Sequence, residues 1–263
     1  MIESIRRLIQ PKRPYLAHVE YWVYLPETKL PPQDILLGRL LRSSPFRVGE
    51  EPAVGPQEAL LFSDIRLHTA LCLRSKNPHL FRPDLFSDHV EPSEDSLRSL
   101  SSAQAIAKLR FVSEEPLQGR RHLRFLPHLA EAVAYYGKAE TLFDVQAERL
   151  AGLESFRAQL DCDPEAEGHG FHARSAWCQE ETGGRAVTRG LRKVGLPEIE
   201  TPLCDREVRS VLTNLLDAAI EQVWSYESLP DELEVSHFGD EYRLKLAHGK
   251  STSTCRVLRK DPV

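Results

Sequence analysis

The stretch Thr188-Arg189-Gly190-Leu191-Arg192-Lys193-Val194-Gly195-Leu196-Pro197-Glu198-Ile199-Glu200 organises the C-terminal half of this chain. It reads as the end of a strand, a glycine-hinged loop and a proline stop ahead of a long helix. Gly190 and Gly195 allow positive φ or a close backbone approach. Pro197 fixes the chain and holds Leu196 extended. Glu198 and Glu200 bracket an apolar Ile199, as on a half-buried strand. The stretch holds no nucleophile, no metal-ligand pair and no phosphate-cradling pattern, so its first role is to shape the backbone. A loop positioned by a rigid sheet is also where a site sits, with Arg189, Arg192, Lys193 and Glu198 at its rim.

Working outward, Asp205 is placed to cap the strongest helix of the chain. Val208, Val211, Leu212, Leu215, Leu216, Ala219 and Val223 follow a 3.6-residue period. Upstream, Ala173 to Gln179 and Arg185 to Leu191 flank Thr182-Gly183-Gly184, a hairpin signal. The tail alternates as three strands around Leu233/Val235/His237, Tyr242/Leu244/Leu246 and Thr254 to Leu258. Ala105 to Val112 alternates as a strand, and Gly119 to Tyr136 as a helix with Gly137 as its left-handed stop. Leu142 to Val145 is a short strand, and Ala147 to Leu160 reads as helical. Near the N-terminus, Ala17 to Tyr24 is a strand rich in β-branched and aromatic residues. Pro31 and Pro32 open a short helix. Glu58 to Phe62 and Arg66 to Leu73 are further strand candidates, after a Gly/Pro loop from Val48 to Pro56.

A strand, a Pro/Glu loop and a helix recur three times, beginning near Val19, Lys108 and Ala186. The expected class is α+β: two antiparallel sheet-plus-helix halves built from ferredoxin-like β-α-β units, helices covering one face of each sheet. Residues 77–102 carry Pro78, Pro83 and Pro92 among serines and acids. They read as a connection between an N-terminal half, 1–76, and a C-terminal domain, 103–263.

Thr188, Gly190, Gly195, Pro197, Glu198, Ile199 and Glu200, ahead of the helix from Asp205 to Trp224, resemble a Thr-x-Gly…Gly-x-Pro-Glu-(Leu/Ile)-Glu pattern. That pattern belongs to an uncharacterised bacterial family catalogued as a domain of unknown function. The strand-helix-strand from Ala105 to Val145 is compatible with the same domain, and residues 1 to about 100 carry no match. The resemblance implies architecture and transfers no catalytic residue.

The 263 residues are 41% hydrophobic, enough for one large or two small cores. A formal net charge of -5 gives no footprint for duplex nucleic acid or an anionic membrane. Five scattered cysteines without a Cys-x-x-Cys pair point to a reducing, cytoplasmic setting. The first ten residues do not read as a signal peptide, and no run is apolar and long enough to span a bilayer. Neither a P-loop, a Gly-x-Gly-x-x-Gly nor a Gly-x-Ser-x-Gly elbow occurs.

Cys162, Glu167, His169, His172 and Cys178 form the densest group of metal-capable side chains, at a spacing that matches no standard zinc module. Asp144 ends an apolar strand and is a candidate buried acid. Arg120, Arg121, His122 and Arg124 make a basic cluster at a helix start, where cations oppose the dipole. No cofactor is expected, and no catalytic residue is assigned. The expected function is that of a non-enzymatic protein-interaction or accessory factor with a protein partner. One alternative is a hydrolase or transferase site where His169, His172 and Glu198 converge. The other is nucleotide or single-stranded nucleic-acid binding through Arg120, Arg121, Arg189 and Arg192, with nucleic acid the less favoured partner.

Overall fold

All nine residues of β1 (Ala17–Leu25) are buried, because this strand runs through the middle of a sheet covered on both faces. The computed structural model describes residues 16–41, 54, 60–82, 93–115, 117, 119–163, 166–249 and 252–259. The expected reading of the first ten residues, most of the loop at 48–56 and the start of the 58–62 strand lie outside them.

After β1 come α1 (Gln33–Leu40), β2 (Leu67–Leu73), α2 (Glu94–Ser102), β3 (Ala105–Ser113), α3 (Arg121–Tyr136), β4 (Thr141–Asp144) and β5 (Arg149–Gly152). The sheet order is β2-β3-β1-β4-β5, with every neighbouring pair antiparallel. The unit β1-α1-β2-β3-α3-β4 therefore has ferredoxin-like topology, extended by the β4–β5 hairpin. Residues 77–102 run between β2 and β3, which pair in this sheet.

Period-two alternation divides β1 between two apolar layers. Val19, Tyr21, Val23 and Leu25 face α1 and α3, with Leu123, Leu126, Leu129 and Val133 beneath them. Trp22 and Tyr24 face the other way, onto Leu80, Phe81 and Leu100. Leu80 and Phe81 come from a 3-10 turn, Pro78–Phe81. Leu100 comes from α2, whose cap Ser93 accepts from the Ser96 amide at 3.2 Å. Helices were expected on one face only. The aromatic side chains on the second face need their own cover, and α2 with the 3-10 turn provides it.

The second sheet follows α4 (Leu153–Cys162) and a single turn, α5 (His169–His172). Its strands are β6 (Arg174–Glu180), β7 (Gly183–Arg189), β8 (Glu198–Glu200), β9 (Glu232–His237), β10 (Asp240–Ala247) and β11 (Thr252–Arg259). The order is β6-β7-β8-β11-β10-β9, antiparallel except for β8 beside β11. α6 (Arg209–Val223) lays Leu212, Leu215, Leu216, Ala219, Ile220 and Val223 against Trp177, Ala186, Ile199, Leu233 and Leu244. That layer is continuous with the helix face of the first sheet. Among the described residues no helix is long and apolar enough to cross a membrane.

Several local expectations change. Pro197 leads directly into β8 instead of stopping the chain before a helix. Leu60–Ser63 is a 3-10 turn and not a strand. The helix expected from Ala147 begins at Leu153, because β5 first pairs with β4. Asp205 precedes a 3-10 turn and makes no side-chain cap bond. Gly137 ends α3 at φ -82, outside the left-handed region, while Lys138 takes φ 53. Gly137 is needed for space instead: a Cβ there would lie 2.4 Å from Leu25 Cδ2 and 2.7 Å from the Val133 carbonyl oxygen. Gly137→Ala is expected to cost about 1–3 kcal/mol through overpacking, read as a lower urea midpoint at constant m-value.

Candidate functional site

The quoted motif closes on its own carboxylate. Gly190 (φ 108) and Gly195 (φ 87) bracket a 3-10 turn, Leu191–Val194. Both are left-handed, where a β-carbon is strained. A Cβ on Gly190 would also lie 2.1 Å from the His172 carbonyl oxygen, so the turn packs directly on α5. The amides of Gly190, Leu191 and Arg192 converge on the Glu198 carboxylate at 2.9, 3.4 and 3.4 Å. Thr188 Oγ1 donates to Glu198 Oε2 at 2.7 Å and accepts from the Ile199 amide at 2.7 Å. Successive amides of this kind form an anion-holding nest, and here a residue of the same motif fills it. Burial pushes the Glu198 carboxyl above its usual range, against the Thr188 hydroxyl, Arg189 and the amides.

The turn then drives Lys193 into the first sheet. Its fully buried ammonium is hydrogen-bonded to Asp144 at the end of β4. It also lies 3.4 Å from His172 Nδ1 and 5.3 Å from the centre of the Tyr21 ring. His172 Nε2 donates to the Ala166 carbonyl, which leaves Nδ1 as the acceptor for Lys193. The His172 ring stacks on Trp224, 6.0 Å between centroids. His122 of α3 completes the enclosure: its Nε2 donates to the Lys193 carbonyl at 2.9 Å, and its ring stacks on Phe111. Burial lowers the Lys193 pKa, with Asp144 pulling the other way. His172 is held well below the usual histidine range by burial and then by the Lys193 charge. His122 is pushed by burial to about 4, the Lys193 carbonyl opposing.

Arginines grip the β4–β5 turn from the second sheet. Arg174 donates to the carbonyls of Ala147 at 2.7 Å and Glu148 at 2.8 Å. Arg189 Nε meets Glu148 Oε2 at 3.1 Å. In the opposite direction Arg149 of β5 donates to the Phe171 carbonyl of α5 at 3.1 Å. Beside this junction lies a small cleft lined by Leu142, Asp144, Arg149, Ala151, Phe156, Gln159 and Phe171.

The residues singled out from sequence separate into three groups. Arg189 and Glu198 interact electrostatically at the junction, where the Arg192 amide donates to Glu198 and Arg189 pairs with Glu148. His172 is brought to Lys193, while His169 is half-buried at the other end of α5. No hydrogen bond among the described residues joins His169 or His172 to Glu198. Cys162 is exposed at the end of α4, and Cys178 on β6 lies 3.6 Å from Arg189 Nη2. Among the described residues no three His, Cys, Asp or Glu side chains are grouped to hold a metal ion. Arg120 lies 5.6 Å over the Trp224 ring, and Arg121 is exposed. Sequence reasoning left Glu148, Arg149 and Arg174 unmarked, because nothing local distinguishes them, and read Tyr21 only as one of the aromatic residues of the first strand. It placed Lys193 on a rim, whereas the loop turns it inward. No family model, curated protein or solved structure matches the chain.

Two outcomes are expected. Lys193→Met strands a buried carboxylate and should cost about 3–5 kcal/mol. Adding Asp144→Asn should cost less than the sum of the single changes, measured as a double-mutant cycle in urea. The second concerns acid. The folded His122 pKa, about 4, lies below the unfolded value near 6.5. Its contribution is therefore complete above pH 6.5 and is lost as pH falls from there to about 4. That amounts to roughly 3 kcal/mol at 1.36 kcal/mol per unit. The stability slope over this window should flatten in His122→Gln.

Proposed function

We propose that this protein works through its surface, as a non-enzymatic protein-interaction or accessory factor. The observation that carries the reading is the internal use of the motif. Its carboxylate fills its own amide nest, and its lysine is spent on Asp144. Glu198 is used to fix its own turn and Lys193 to bind the two sheets together, in place of meeting a substrate.

The surface supplies a place for contact. At the C-terminal end of α3, Tyr135 and Tyr136 are 46% and 42% exposed, their rings 5.1 Å apart and edge-on. Arg39 of α1 lies 3.9 Å from the centre of the Tyr135 ring. Its carboxylate partner is Glu131, bound through two contacts at 2.8 and 2.9 Å. Ile35, 40% exposed, is one turn before Arg39 on α1, and Leu41, 42% exposed, ends that helix. Exposed tyrosines held against an arginine, with exposed aliphatic side chains on and at the end of that arginine's helix, have the composition of interface centres.

The double variant Tyr135→Ala/Tyr136→Ala should fold with a melting temperature within a few degrees of wild type. It should also lose a partner that the wild-type chain retains at stoichiometric level during affinity purification from its source cells. Equal retention would remove the tyrosines from the interface. Turnover of a substrate by wild type that Glu198→Gln abolishes in a folded protein would replace the non-enzymatic reading altogether.

A further inference from the structure

β2 and β5 end the first sheet, and β6 and β9 end the second. An open sheet edge is a template for another strand, and proteins guard it with charge, proline or a short length. β5 is four residues long and carries Arg149. β6 carries Arg174 and Glu180, and β9 carries Glu232 and Glu234. β2 reads Leu67-His68-Thr69-Ala70-Leu71-Cys72-Leu73, with no carboxylate, lysine, arginine, proline or glycine. Its middle residues His68, Thr69 and Ala70 are exposed, and Ile65 just ahead of it is 89% exposed.

The register assigns the backbone groups of β2 to its two sides. At one end the Val112 amide donates to the Arg66 carbonyl at 3.1 Å, and at the other the Arg74 amide donates to the Gln104 carbonyl at 2.9 Å. Between them β2 pairs with β3 without a break. Backbone groups alternate sides along a strand. Arg66, His68, Ala70, Cys72 and Arg74 therefore turn theirs toward β3, while Leu67, Thr69, Leu71 and Leu73 turn theirs outward. Part of the outward set is already bonded within the chain. The Leu67 amide donates to the Asp64 carbonyl at 2.9 Å, and the Leu73 carbonyl accepts from the amides of Lys76 and Asn77 at 3.1 and 3.0 Å. The Leu67 carbonyl, both groups of Thr69 and of Leu71, and the Leu73 amide are left without a hydrogen bond among the described residues.

We propose that β2 pairs antiparallel with β2 of a second copy of this chain, about a two-fold axis through Ala70. Thr69 of each copy then stands opposite Leu71 of the other, and the two exchange both of their hydrogen bonds. The Leu73 amide of each copy meets the Leu67 carbonyl of the other. The groups that this register leaves over, the Leu67 amide and the Leu73 carbonyl, are the ones each chain already satisfies internally. The edge is thus its own complement, as an isologous contact requires. A foreign strand would have to reproduce the pattern at both ends, whereas a second copy carries it. The axis also keeps like faces together, so Leu67, Leu71 and Leu73, which pack on the helix-side core, continue that layer across the seam. No like charges meet there, because β2 has none. A seven-residue strand spans about 23 Å, an edge at the small end of interfaces, below about 1,200 Å², and the dimer is reversible. This edge is separate from the Tyr135–Tyr136 surface and does not rest on it.

The test is sedimentation velocity of the full chain from about 1 to about 300 μM, a range suited to a small interface. Wild type should move from 29.9 kDa toward twice that mass as concentration rises. Thr69→Pro removes an outward amide, which an edge strand tolerates. Ala70→Lys sets two ammonium groups opposite each other at the axis, where like charges repel. Both variants should melt within a few degrees of wild type when dilute and stay monomeric at the highest concentration. Tyr135→Ala/Tyr136→Ala should associate as wild type does. Ala70→Cys should cross-link two copies through the new thiols under mild oxidation, mapped by mass spectrometry, since the pair at the axis has its Cα atoms about 4.5 Å apart. A wild-type mass that stays at 29.9 kDa throughout would overturn the proposal. So would a dimer that persists in the folded Thr69→Pro and Ala70→Lys chains, or one lost in the tyrosine variant alone. Should Thr69→Pro not fold, Ala70→Lys decides.

Discussion

The ammonium of Lys193 reaches Asp144 across 49 residues of sequence and from one sheet to the other. A charge with no exposed surface must find an opposite charge and further polar contacts, or the fold that buries it is lost. Lys193 therefore dictates how the sheets meet. Its loop must approach β4 closely enough for the ammonium to reach Asp144. α5 must present a histidine nitrogen to it, and α3 must bring His122 to the Lys193 carbonyl. Gly190 makes the approach possible, since its backbone lies directly against that of His172. The Glu198 nest then fixes the turn from which Lys193 projects.

Net stability comes from elsewhere. The apolar layer between the sheets runs without a break from Val19 and Leu126 to Leu215 and Leu244. Burial of this kind is non-directional and tolerates many arrangements of similar area. The polar junction removes that freedom. A docking that slid one sheet along the other would leave Lys193, Asp144 and Glu148 dehydrated without partners, at several kcal/mol each. Arg174 and Arg189 act in the same sense, because their contacts define the position of a single turn, Ala147 to Glu148.

What the sequence disclosed follows the range of the forces involved. Periodicity located β1, β3, α3, α6 and the hairpin at Gly183, since alternation and helical spacing are written in consecutive residues. It also gave the α+β class. The mixed edge of the second sheet, β8 beside β11, was not legible, because pairing over some fifty residues leaves no local mark. The motif was legible as backbone geometry: both glycines are left-handed and Glu198 lies on a short strand. The inward course of Lys193 was not, since a lysine beside Arg192 in a loop reads as solvated. His172 sits in a glycine-rich segment with His169, and that local density suggested a metal. The decisive neighbour of His172 was Lys193, 21 residues away.

The junction and the cleft are two sides of one row of residues. Because Lys193 neutralises Asp144 from one side, the cation on the other side, Arg149, makes no ion pair among the described residues. Had Asp144 paired with Arg149 across the hairpin, Lys193 would have been buried alone and the sheets could not have docked as they do. The pairing that holds the sheets together thus exposes a guanidinium to the cleft. Arg149 also binds the Phe171 carbonyl, and the next residue, His172, touches Lys193. The same α5 turn that walls the cleft presents the acceptor on which the buried lysine depends.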